Sequence, residues 1–465
     1  MTGMTRSSWR RWQLCLVKSW PSRIAVARYA ALIGLAVALG GCETYDDLFG
    51  TPYEEILPGQ RIAILALDRG LRPDPSVADV RVRLSEPYVN KTWTHSGGNA
   101  PHAMYHLSLG DAPRRVWSAD VGEGSGSDRR LLAQPLVVDG VVYTMDAVDT
   151  VTAYDAERGR VIWRADLEPE DEDDGYFGGG IAYDAGRIYV TTGFARVFSL
   201  DAETGAVVWE QAMPGPIRAA PAASGGRVFA VTLDNQMIAL AAEDGRRLWS
   251  HSGIQETTSL VGGASPAVEG STVIAPYSSG EIVGLLAENG RVLWSDSLSS
   301  ITRVDPLGDI AHIRGTPVID RGMVFAISHS GRMVAVDLRR GVRAWEADLG
   351  GVEMPWVGGD FIFVLTNDAQ LVCLTRRDGR ILWVRSLERF KDPENQEGPI
   401  HWAGPVLAGD RLIIAGSNEK ALSISPYTGE ILGVIDLPDS VFLAPVVAGN
   451  SLYFLTEGGT LVAMR

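Results

Sequence analysis

Ala153-Tyr154-Asp155-Ala156-Glu157-Arg158-Gly159-Arg160-Val161-Ile162-Trp163 is the stretch on which the fold turns. An apolar run ends at Asp155, a glycine follows four residues later, and a tryptophan stands four residues beyond that in a second apolar run. Glycine supplies the positive backbone dihedral of a tight hairpin, and a short acid at its entrance can bond turn amides. The Gly-x-x-x-Trp pair returns at Gly205/Trp209, Gly245/Trp249, Gly290/Trp294, Gly341/Trp345 and Gly379/Trp383. It returns once more at Gly429, with Gly433 in place of tryptophan, and Asp201 and Asp337 repeat Asp155. Trp117 occupies the same place in a further, incomplete unit that has Pro113 where the glycine would be.

Successive markers lie 38 to 51 residues apart, the length of a four-stranded β-propeller blade and longer than most solenoid repeats. Pro135-Leu136-Val137-Val138 and Val141-Val142-Tyr143-Thr144 are continuous apolar runs rich in β-branched residues, as expected of strands covered on both faces. The last unit, ending in Leu461-Val462-Ala463-Met464, stops before any Gly-x-x-x-Trp strand, whereas the Trp117 strand has no strands before it. Each end supplies what the other lacks. The expected fold is therefore all-β: an eight-bladed β-propeller of four-stranded antiparallel blades, closed by pairing the N-terminal strand with three C-terminal strands. Each tryptophan should anchor its blade by about 2–3 kcal/mol of burial, and the blade carrying Gly433 should be locally weaker.

Composition agrees with a globular chain of many turns: 46% hydrophobic, 21% charged, and 52 glycines in 465 residues. The formal charge is −15, and residues 1–41 hold six cations (Arg6, Arg10, Arg11, Lys18, Arg23, Arg28) and no acid. Their removal would leave −21. A body so acidic has no electrostatic footprint for nucleic acid and repels anionic lipid.

Residues 30–39 are apolar and follow that basic stretch, the order of a secretory signal. Ten residues are too few to span a bilayer, which takes ~20 in a helix. Leu39-Gly40-Gly41-Cys42 resembles the lipobox of bacterial lipoproteins, which implies that Cys42 is acylated and becomes the mature N-terminus. Several acyl chains, at ~0.8 kcal/mol per buried CH₂, would then hold the protein on a membrane. Glu43, not Asp, follows, which implies an outer-membrane destination facing the periplasm. The expected order is a signal peptide at 1–41, a flexible acidic tether at 42–60, an extended arm and approach segment at 61–110, and the propeller at 111–465. Residues 61–67 and 80–84 are expected to lie as strands or arms against the rim. Cys373 has no partner for a disulfide once Cys15 and Cys42 are set aside, and reads as a small buried hydrophobe.

The unit Ala153-x-Asp155-x-x-x-Gly159-x-x-x-Trp163 resembles the tryptophan-docking repeat of the pyrroloquinoline-quinone propeller superfamily, which holds both enzymes and scaffolds. Together with the lipobox, the eight units and the segment Trp93-x-x-x-Gly97-Gly98-Asn99-x-x-His102, it resembles the lipoprotein family of the outer-membrane β-barrel assembly machinery over residues 42–465. That resemblance implies a scaffold without chemistry or cofactor that binds the periplasmic domains of the barrel-forming subunit BamA and aids unfolded outer-membrane proteins. Its contacts fall on two inter-blade loops. One is matched by Ser259-Leu260-Val261-Gly262-Gly263-Ala264-Ser265-Pro266, making Ser259, Leu260 and Val261 partner-binding candidates, and the other by Asp309. The family often has Arg where this chain has Val261. The physical reading agrees on place: blade-to-blade connections all emerge on one face, so loops 251–265 and 296–315 should be neighbours, with Leu260, Ile301, Leu307 and Ile310 as apolar candidates for a partner.

Two other classes compete. Quinone-dependent dehydrogenases resemble the fold but add a Ca²⁺ site and commonly an adjacent-cysteine pair, and no Cys-Cys occurs here. A periplasmic propeller binding envelope polymers or proteins is the other. Local motifs for chemistry fail on context. His102 and His106 have i, i+4 spacing, but Pro101 and the strand pattern oppose the helix that a metal pair needs. The acidic run 168–174 lacks the alternating ligands and turn glycine of a Ca²⁺ loop. Ser417-x-x-Lys420 falls between strands, and Gly178-Gly179-Gly180 has no following Lys and helix to cradle phosphate. No catalytic residue and no metal are expected.

Overall fold

The repeat's local chemistry builds one hairpin many times over. In the computed structural model, which describes residues 70–169, 177–256, 258–299 and 311–465, the carboxylate of Asp155 accepts the amides of Glu157 and Arg158 at 3.0 and 2.8 Å. Gly159 turns at φ +67°. The outer strand then pairs back with a one-residue bulge, Trp163 facing Ala153 while Val161 faces Tyr154. A bulge bends and re-aims the strand; here it leaves Val161 and Ile162 exposed and turns the tryptophan inward. The same register shift recurs in every other outer strand, including those at Trp209, Trp249, Trp294, Trp345 and Trp383.

The described residues form eight four-stranded antiparallel sheets and one two-stranded hairpin, Phe390–Asp392 with Glu397–Pro399. Blade one runs from the axis outward as Leu136–Val138, Val141–Met145, Thr150–Asp155 and Val161–Asp166. Blades two to seven begin at the inner strands Gly180–Asp184, Ala222–Ser224, Ala267–Glu269, Val318–Asp320, Trp356–Gly358 and Trp402–Ala408. Blade eight is composite: Val446–Ala448, Ser451–Leu455 and Thr460–Met464 are completed by Arg115–Asp120, with Ser118 opposite Val462. The ring is thus closed by its own two ends, as expected.

The tryptophans join blades to one another. Trp117, Trp163, Trp209, Trp249, Trp294, Trp345 and Trp383 donate their indole N–H groups to Ala156, Ala202, Ala242, Ala287, Leu338, Arg376 and Pro426 of the following blade, at 2.8–3.1 Å. Each lies against that blade's turn glycine: Gly159, Gly205, Gly245, Gly290, Gly341, Gly379 and Gly429 in the same order. The glycine therefore answers two demands, a positive φ and the absence of a β-carbon under the neighbour's ring. Coverage on both faces holds for most of the inner three strands, whereas the outer strands alternate and expose the apolar pair before Trp163, Trp209 and Trp294. Cys373 is buried, and burial pushes its thiol above the ordinary range.

Residues 70–109 take a course that the spacing of motifs did not indicate. Residues 80–84 carry no strand; Asp74 bonds Ile381 on the outer strand of blade six and Leu84 reaches Gly358 on its inner strand. From Asn90 to Leu107 the chain then visits all eight innermost strands in ring order. Asn90 bonds Val447 and Gly449, Trp93 exchanges two backbone bonds with Val137, and Thr94 accepts from Tyr183. The Ala223 amide donates to His95 Nε2, Ala100 and Pro101 accept from Val268 and Ile319, Trp356 donates to the Tyr105 carbonyl, and Leu107 donates to Leu407. This strap closes the channel at the end where the inner strands turn back.

Candidate functional site

With one end sealed, the axis is a blind funnel opening on the face of the blade-to-blade connections. Its floor is the strap. Trp93 and Trp356 stack there at 6.3 Å, and Gln134 ties them down, accepting from Trp93 Nε1 and the Gly97 amide while donating to the Ala444 carbonyl. The Gly97-Gly98 pair is needed because both residues have positive φ and a β-carbon on either would strike Met354 or Met104 at 2.6 or 2.2 Å. Asn99 holds the next turn, its side chain exchanging two 3.0 Å bonds with the Ala103 backbone. His102 and His106 serve the strap as well: each uses Nδ1 on a carbonyl, of Pro317 and Ser85 respectively. Among the described residues no group of three His, Cys, Asp or Glu side chains is arranged to hold a metal ion.

Above the floor a chamber of about 110 Å³ widens into a mouth of about 450 Å³. The mouth is lined by Leu132, Leu260, Val261, Val352, Ile400 and Phe442, among others, and by Arg314 and Glu353. Ser259 and Leu260 are half-buried and Val261 is 46% exposed. The Leu260 amide donates to His312 Nδ1 at 3.0 Å, and Arg314 Nε donates to the Val261 carbonyl at 3.1 Å. The two connections expected to be neighbours therefore do touch. Ile301, Leu307, Asp309 and Ile310 lie outside the described residues, as do Cys42 and the leader.

The charges lining the mouth are paired, Arg130 with Glu457 and Arg314 with Glu353. Arg314 pairs with Glu353 at 3.3 Å, whose other oxygen accepts the Gly404 amide at 3.2 Å. Burial pushes the Glu353 carboxyl up, and Arg314 and Gly404 pull it back. Burial, helped by Arg314, lowers His312 to about 4, so its imidazole is neutral and free to accept from Leu260. Arg218 stands over the Phe177 ring at 5.3 Å, a cation–π arrangement. Arg314, His312 and Arg218 were not singled out from sequence, because nothing in their local spacing marks them. The one available signal was the family's habit of placing Arg at the position of Val261: here a guanidinium comes to that loop from the next one.

A sealed ring of four-stranded blades, bolted together by indoles on glycines and open at one face, defines a tryptophan-docked propeller of the kind shared by quinone enzymes and scaffolds. The family described as outer membrane protein assembly factor BamB matches residues 108–175 and 147–385, and this chain belongs to that family. The Salmonella typhimurium protein of that name is 29% identical over 362 residues, covering 76% of this chain and 88% of the relative. Among solved structures, BamB from Moraxella catarrhalis matches with a TM-score of 0.66 at 19% identity, over 76% of this chain and all of that one. The quinohemoprotein alcohol dehydrogenase of Comamonas testosteroni shares the fold at a TM-score of 0.61 and 15% identity, over 82% of this chain and 81% of its own.

Proposed function

We propose that this protein is a non-enzymatic scaffold of outer-membrane β-barrel assembly. It is carried to the outer membrane by its leader, held on the periplasmic face by acyl groups on Cys42, and binds the periplasmic domains of BamA through the funnel mouth. Ser259, Leu260, Val261 and Asp309 contribute to that contact, and unfolded outer-membrane proteins are its clients. Residues 42–60 act as the tether and 1–41 as the removed signal. Family membership supports the assembly role.

The observation that carries the choice of face is the joining of two connections at one rim: Leu260 to His312, and Val261 to Arg314. An exposed apolar group beside a fixed guanidinium is the composition of an interface anchor. The test is titration of the BamA periplasmic domains with the wild type and with Leu260→Glu, Val261→Glu and Asp309→Ala. Affinity should fall in the variants while their thermal unfolding stays unchanged; equal affinity in all of them would remove this face from the contact.

A further inference from the structure

Below the mouth the charges do not balance. The chamber is lined by two cations and one acid, Arg218, Arg314 and Glu353. The Glu353 carboxylate is fully engaged, by Arg314 at 3.3 Å and by the Gly404 amide at 3.2 Å. The Arg218 guanidinium rests on the Phe177 ring at 5.3 Å and has no acid or carbonyl bonded to it among the described residues. Burial pulls it below the ordinary range of an arginine, with no carboxylate to offset the lost water. Its charge is felt through the wall, where Arg314 and Arg218 both add to the burial that lowers His312. A net positive charge therefore stands at the blind end of a funnel in a chain whose formal charge is −15.

We propose that the chamber binds the free C-terminal carboxylate of a partner polypeptide, with Arg218 as the receiving cation. Charge selects the group. A guanidinium presents parallel N–H donors that match the two oxygens of a carboxylate, and an excess of one positive charge suits a carboxylate better than a phosphate monoester, which carries about two negative charges. The hydroxyls of Ser96 and Thr316 line the same space and add donors. Shape selects the chain end. The strap closes the far side, so a chain that enters through the mouth has to stop in the chamber, which is about 110 Å³ against about 450 Å³ above it. An internal acid would require the chain to pass in and out through one opening. Leu132, Val352, Phe442 and Leu443 line both spaces, so the last side chains of the partner lie on apolar walls while its carboxylate reaches Arg218. The inference rests on the closed axis and on Arg218, and not on the rim contact assigned to BamA.

The experiment is methyl NMR of the protein titrated with acetyl-Ser-Thr-Leu-Val carrying a free terminal carboxylate, and with the same peptide ending in an amide. Saturable shifts are expected at Leu132, Val352 and Leu443, with a dissociation constant on the order of 0.1 mM for the acid and binding at least ~10-fold weaker for the amide. Arg218→Gln should bring the acid down to the affinity of the amide, and Arg218→Lys should restore part of the preference. Should either variant not fold, the comparison of acid with amide on the unaltered protein still decides. Absence of shifts, equal affinity for acid and amide, or a preference that survives Arg218→Gln would overturn the proposal. So would acetyl-Ser-Asp-Leu-Val-amide binding as tightly as the acid, by assigning the chamber to an internal acidic side chain, or sulfate displacing the peptide at equal concentration, by assigning it to any small anion. The peptides are titrated into the protein alone, so failure here and failure of the BamA titration are read separately.

Discussion

Trp163 donates to the carbonyl of Ala202 at 3.0 Å and lays its ring so close to Gly205 that a β-carbon there would stand 2.5 Å from Cε3. One glycine thus serves its own turn and its neighbour's anchor. Gly205→Ala should cost about 2–4 kcal/mol, from left-handed strain together with overpacking. Gly186→Ala is the control, since Gly186 has φ +81° but open space around it, and should cost about 1 kcal/mol. Denaturant unfolding of the two variants separates the contributions.

The strap should behave as a clasp on the ring. Trp93 is fully buried, is bonded through both main chain and indole, and stacks on Trp356. Trp93→Ala should cost about 3–5 kcal/mol and should leave Gln134 without one of its donors. Hydrogen exchange should accelerate in the amides of Val137, Tyr183, Ala223 and Val268, which lie on four separate blades, before it does so in the outer strands.

Acid should loosen both the strap and the mouth. Burial lowers His95 to about 4, His102 to about 3 and His312 to about 4, against 6.5 for a free imidazole. A lowered histidine favours the neutral folded form, so its contribution is full above pH 6.5 and is lost as pH falls toward 4 and then 3. Asp149, pushed up by burial and by Asp146, acts with the opposite sign. His312→Asn keeps an acceptor for the Leu260 amide without a titrating ring. It should flatten the fall of melting temperature between pH 6.5 and 4, and an unchanged slope would exclude His312 as a contributor.

Removing the Arg314 guanidinium should act on the partner through Val261. Arg314→Ala leaves Glu353 without its ion pair and frees the Val261 carbonyl, so affinity for the BamA periplasmic domains should fall about tenfold, about 1.4 kcal/mol. Arg314→Lys keeps the charge but not the fork that reaches both Val261 and Glu353, and should rescue only part of the loss. Calorimetric titration of both variants checks this.

Membrane attachment should depend on one sulfur. With a net charge of −15, Cys42→Ser should move the exported protein from the membrane to the soluble periplasmic fraction, as read by fractionation and by loss of acyl mass.

Blade number, strand order and ring closure were legible in the sequence. They rest on rules acting within a dozen residues: a positive-φ glycine, an acid capping the turn, an apolar run on either side, repeated until two incomplete ends remained. Other features depended on contacts between residues far apart in the chain. Each tryptophan covers the next blade's glycine and not its own, Asn90 meets Val447 across 357 positions, and the segment Asn90 to Leu107 circles the axis. Arg314 reaches the loop of Val261 only because two connections emerge side by side. Local spacing specifies hairpins, whereas which surfaces face one another is decided when the ring closes and every inner strand presents its end to the same small space.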